Sequence, residues 1–104
     1  MIYFITDVTY IKIGYTKNDV QKRLKQLQTS NAKKLYLLGW MEGTMEDEKR
    51  LHTIFGKYKV RYNGEWFRPD KSLIDFINKN NLKENCRVEN IDGQIMSFLS
   101  IKTI

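Results

Sequence analysis

The stretch MIYFITDVTYIKIG, residues 1–14, decides how the rest of the chain is read. Met1–Asp7 is β-branched and aromatic, and Tyr10–Gly14 alternates apolar and polar residues. The short Asp7-Val8-Thr9 connection makes the two runs a β-hairpin. A helix follows: Asn18 reads as its N-cap, with Gln21 three residues on completing a capping box. Val20, Leu24 and Leu27 recur at helical spacing, so that helix runs to about Gln28, where the Thr29-Ser30-Asn31 cluster stops it. Leu35–Met41 (LYLLGWM) reads as a buried third strand. Thr44, with Asp47 three residues on, opens a second helix that continues through Phe55 to Gly56.

Tyr58–Phe67 reads as irregular or extended, with a turn at Asn63-Gly64. Pro69-Asp70 starts a third helix with Leu73, Ile74 and Ile77 facing inward. Past the polar Asn78–Asn81 stretch, Arg87–Ile91 and Gln94–Ile101 flank Asp92-Gly93, a strong hairpin signal. The order is ββαβα, one further helix and a terminal hairpin. That predicts an α/β sandwich with one small mixed sheet: a domain over residues 1–81 and a hairpin extension over residues 82–104. In the extension Ile95 and Leu99 lie on one face of a strand, and Met96 and Phe98 on the other. A strand apolar on both faces is expected to be buried on both sides. The hairpin should therefore extend the sheet and cover a helix, or pair with a second copy as a two-fold dimer.

With 104 residues, 41% hydrophobic and 29% charged, the chain suits one globular core. No apolar run approaches the roughly 20 residues of a membrane helix. Met1 leads straight into Ile2–Ile5 with no basic region, so no signal peptide is read. Cys86, the single cysteine, has no internal partner, and a reducing cytoplasmic setting is expected. The net charge of +6 and pI near 9.5 favour a polyanionic partner, nucleic acid or an anionic membrane surface. The charge is zoned. Lys17, Lys22, Arg23, Lys25, Lys33 and Lys34 face only Asp19 among the acids of their segment, and Lys57, Lys59, Arg61, Arg68 and Lys71 form a second zone. Two basic zones point to phosphate tracking, hence to DNA, more than to solubility.

On the second helix, Met45, Leu51, Ile54 and Phe55 define a buried sector, and Glu48 and His52, four residues apart, fall at its edge. An ionised carboxylate there needs a partner. One reading is a structural pair, with His52 bonding Glu48 or a core carbonyl; the other has Glu48 offering a hard oxygen to Mg2+ or Mn2+. Glu65, in Gly64-Glu65-Trp66-Phe67, lies among aromatics and cations. It either bridges to Arg61 or Arg68, or orients a catalytic base or a DNA-contacting arginine. The residues leave open which of Glu48 and Glu65 would be the metal ligand.

Together Ile2-Tyr3 in the first strand, Lys12-Ile13-Gly14 in the second, Arg23 on the following helix, Glu48-x-x-Leu51-His52 and Gly64-Glu65-Trp66-Phe67 resemble the GIY-YIG nuclease superfamily. The two later motifs are similar to a branch known from small phage proteins and a fungal meiotically up-regulated protein. The resemblance covers about Met1 to Ile77. It implies a DNA endonuclease using one Mg2+ or Mn2+ ion. Tyr3 would activate or position the nucleophile, and Gly14 would keep the backbone tight beside it. Arg23 would neutralise the scissile phosphate, Glu48 would hold the metal, and His52 would be a proton shuttle. Met1 stands in place of the first-motif glycine, and Lys12 in place of the second-motif tyrosine. An ammonium there still supports water activation or stabilises the pentavalent state. Lys17, Lys22, Lys25, Lys33, Lys34, Arg61 and Arg68 would hold flanking phosphates. Three rivals remain: a DNA-binding module that has lost turnover, an interaction or inhibitor protein using the hairpin as an added strand, and a metalloenzyme with another substrate.

Overall fold

A computed structural model describes residues 1–60 and 63–99. The opening hairpin forms as read, from β1 (Ile2–Thr6) and β2 (Ile11–Tyr15). Its turn is built by side chains: Asp7 Oδ1 accepts from Thr9 N at 2.9 Å and Tyr10 N at 2.7 Å, while Thr6 Oγ1 accepts from Val8 N at 3.0 Å. These bonds hold Val8 at φ +83°, a conformation that β-branched residues rarely adopt. Then come α1 (Val20–Thr29), β3 (Tyr36–Met41), α2 (Met45–Ile54), a 3-10 turn (Gly56–Tyr58), β4 (Lys59–Val60), β5 (Asn63–Phe67), α3 (Lys71–Asn80), β6 (Cys86–Ile91) and β7 (Gln94–Leu99).

Five strands form one sheet in the order β3-β1-β2-β5-β4, and β6-β7 form a separate two-stranded sheet. The α/β class holds. The sheet expected to be mixed is antiparallel at every pairing among the described residues. The segment read as irregular supplies the missing strands: β5 pairs Ile11 with Phe67 and Lys12 with Trp66. Asn63-Gly64, expected as a turn, opens β5. The expected strand end at Ile101 lies outside the described residues.

Alternation along β1 and β2 divides the molecule into layers. Tyr3 and Ile5 face α1 and pack with its Val20, Leu24 and Leu27 and with Trp40 and Trp66. Ile2, Phe4, Ile11 and Ile13 face the other way, onto Leu51 and Phe55 of α2, Leu73, Ile74 and Ile77 of α3, and Val88 and Ile95 of the hairpin. The hairpin thus covers α3 without extending the five-stranded sheet, and within the single chain one of its faces is open. Its inner residues join the main core, whereas Met96 and Phe98 are exposed. Its turn has Asp92 at φ +51° and Gly93 at +85°, the left-handed pair of a tight hairpin.

Local chemistry corrects three details. Asp19, not Asn18, caps α1, because its Oδ1 reaches Gln21 N and Lys22 N while Asn18 N bonds Thr16 Oγ1. The Thr44–Asp47 box opens α2 as expected, but Met45 and Ile54 are exposed. At about 100° per residue, a strip centred between Leu51 and Phe55 leaves Ile54 on the flank. Asn78 and Asn81, read as a polar break, are clamps. Asn78 exchanges two hydrogen bonds with Val88 of β6, at 2.8 and 2.9 Å. Asn81 donates to Leu38 O at 3.0 Å and accepts from Trp40 N at 3.2 Å, closing part of the outer edge of β3. Gly39 makes room for it: a Cβ there would lie 2.0 Å from Asn81 Oδ1.

Candidate nucleic-acid site

Tyr3 and Gly14 are cross-strand partners, as are Ile5 and Lys12, which puts Tyr3, Gly14 and Lys12 on the face that α1 covers. The Tyr3 ring lies directly over Gly14, where a Cβ would meet Cζ at 2.2 Å and the hydroxyl oxygen at 2.3 Å. Only a glycine lets the aromatic ring lie this close to β2. Lys12 is almost fully buried, and an ammonium in that position requires a counter-charge. It finds one in Glu65, with which it forms an ion pair and hydrogen bond, while its Nζ also stands 5.8 Å from the Trp66 ring centre. The expected partner Arg68 is engaged elsewhere, donating to Lys57 O at 2.8 Å, and Arg61 lies outside the described residues.

The β2–β5 ladder ends at Lys12–Trp66, one residue before Ile13. The Ile13 carbonyl is met by His52, reaching across from α2 on the opposite layer: Nε2 lies 2.9 Å from that oxygen. A carbonyl only accepts, so Nε2 carries the proton and donates it. Glu48 Oε1 stands 3.5 Å from the same nitrogen, and the His52 ring meets Phe67 edge-on at 5.1 Å. The structural reading of His52 is therefore present in its carbonyl form, with Glu48 beside the ring.

Glu65 is the β5 residue next to Trp66, at the end of that register. The hydrogen bond from Lys12 holds its carboxyl below the usual range, against partial burial, and the charges of Lys12, His52 and Arg23 act in the same sense. Arg23, on α1, has Gln26 as a side-chain neighbour at 3.3 Å. The structure thus places Tyr3, Gly14 and Lys12 on one face, with Glu65 bonded to Lys12 and Arg23 near enough to act on its charge, while His52 meets β2 from the opposite layer. Glu48 adjoins His52, and its one ion pair among the described residues is with that histidine. Lys17, Lys22, Lys25, Lys33 and Lys34 are exposed, with Lys33 3.7 Å from Asp7. The central part of Glu65 escaped the sequence reading: its partner lies 53 residues away, and only the pairing of β5 with β2 joins them.

An antiparallel sheet whose first hairpin carries a tyrosine against a glycine, with an arginine on the helix above and a basic surface around it, is the frame of this α/β domain. The T5orf172 domain model matches residues 1–88, and the chain belongs to that family, which is related to the GIY-YIG and homing endonucleases. Comparison with curated proteins and with solved structures finds no match.

Proposed function

We propose that the protein is a DNA endonuclease of GIY-YIG type that hydrolyses phosphodiesters with the help of one divalent metal ion. The observation that carries this reading is the convergence of Tyr3, Lys12, Arg23 and Glu65 at the end of the β2–β5 ladder, on a domain with exposed lysines on and around α1. Lys12-Ile13-Gly14 and Glu65-Trp66-Phe67 support a place in the lysine-bearing branch shared with small phage proteins and the fungal meiotically up-regulated protein.

Arg23 clamps a non-bridging phosphate oxygen, for which a planar guanidinium is better suited than an ammonium. Tyr3, held by Gly14, positions the attacking water, and Lys12 lowers the cost of forming its anion. His52 Nε2 is committed to Ile13, so we assign His52 to fixing β2; proton transfer through the ring would use Nδ1.

The donor set fits a metal held mainly by substrate and water. No group of three or more His, Cys, Asp or Glu side chains converges among the described residues, and magnesium needs only one or two carboxylates beside water and phosphate oxygens. Glu48 suits that task better than Glu65, since no Lys or Arg among the described residues pairs with it, whereas Glu65 is neutralised by Lys12. A cation there would supply Lewis-acid polarisation of the phosphate.

The test is incubation of the pure protein with supercoiled, branched and single-stranded DNA in Mg2+ or Mn2+. Nicked or cleaved products are expected, lost in Glu48→Ala with DNA affinity retained. Binding without product from any DNA would instead establish a non-catalytic binding module.

A further inference from the structure

Taking the site as a phosphodiester site, we propose that Glu65 fills its anion position in the free protein, and that substrate phosphate enters by displacing the Glu65 carboxylate from Lys12. Lys12 is buried and its ammonium cannot stand alone; Glu65 is the anion with which it pairs. The two ends of the pair differ sharply. The Lys12 side chain is 7% exposed and that of Glu65 55%, so the carboxylate can withdraw into solvent while the ammonium cannot. Glu65 stands next to Trp66, the last β5 residue in register with β2, so its side chain is at the end of the ladder.

The groups around it are those the proposed reaction requires. Lys12 bonds it, and Arg23 and His52 lie near enough to act on its charge. Exchange is neutral in charge: one monoanionic phosphodiester replaces one carboxylate on Lys12. The pair therefore raises the concentration at which a free phosphate ion enters, and a DNA strand with further phosphates on α1 enters at a lower one. A permanent structural bridge would behave oppositely, since removing Glu65 would then loosen Lys12 and weaken binding.

The experiment measures binding of a labelled duplex by the full chain in EDTA, over a series of salt concentrations, for the wild type and Glu65→Gln. Affinity in the variant is expected to rise about three- to tenfold, with a salt slope steeper by about one ion, as one more cation becomes free for phosphate. Equal or weaker binding by a variant that still melts cooperatively by circular dichroism would overturn the proposal. A second measurement needs neither the variant nor DNA: side-chain NMR of the wild type titrated with inorganic phosphate. Lys12 and Glu65 carboxyl signals should move together in one transition. A Lys12 response without a Glu65 response, or no Lys12 response at all, refutes displacement. If neither protein holds DNA, the nuclease reading falls, while the phosphate titration still decides whether the carboxylate is displaceable.

Discussion

Protonating Glu65 is the mildest way to disturb the site, because it removes a charge and leaves every atom in place. Its carboxyl is more acidic in the folded protein than its ordinary value of 4.5, owing first to the Lys12 hydrogen bond. The pair's contribution to stability is therefore complete above pH 4.5 and is lost as pH falls through the lower folded-state value. Thermal melts should show wild type above Glu65→Gln at pH 7, the gap closing in acid; a gap independent of pH would mean that Glu65 acts by packing. Because the carboxylate is half exposed, the gap should be modest, about 1 kcal/mol. Gly14 is a steric constraint of another kind. Gly14→Ala drives a methyl into the Tyr3 ring, an overpacking that costs about 1–3 kcal/mol. Urea titration should show that loss, and should show it shrink in a Tyr3→Leu background.

Edge strand β3 depends on a side chain from outside the sheet. Asn81→Ala should cost about 1–3 kcal/mol, because Leu38 O and Trp40 N both lose their partner. The check is a denaturant midpoint together with faster hydrogen exchange at Trp40; an unchanged exchange rate would show that the edge is closed by other means. At this scale the sequence was readable where signals are local. The first hairpin, the Thr44–Asp47 box, the inward face of α3 and the Asp92-Gly93 turn all follow from neighbours within four residues. What stayed illegible is non-local. β5 is a strand because β2 and β4 pair with it, and Asn78 and Asn81 are clamps because Val88 and Leu38 come to meet them. The site follows the same rule. Tyr3, Lys12 and Arg23 were identifiable by motif order, but the charge partner of Lys12 was hidden by a separation that only folding removes.

The whole molecule presents α1 on one side of the sheet and α2, α3 and the hairpin on the other, with Lys22 and Lys25 exposed on α1. If that side tracks phosphates, Lys22→Glu with Lys25→Glu should weaken binding to every DNA sequence and flatten the salt dependence, by roughly one unit of slope per lost contact. Fluorescence anisotropy at several salt concentrations measures both; unchanged affinity throughout would place DNA on another surface. The open cleft of about 620 Å3 between β3, the β1–β2 turn and the hairpin is lined by none of the residues assigned to the chemistry, so these substitutions leave it intact. Asn81 carries a further consequence, for the chemical ageing of the protein. Its clamp needs a nitrogen facing Leu38 O and an oxygen facing Trp40 N, so both ends of the amide are used. Deamidation to aspartate exchanges that nitrogen for oxygen and sets two acceptors against each other. A change of a single mass unit at this one amide would then uncover Leu38 O and Trp40 N on the edge of β3.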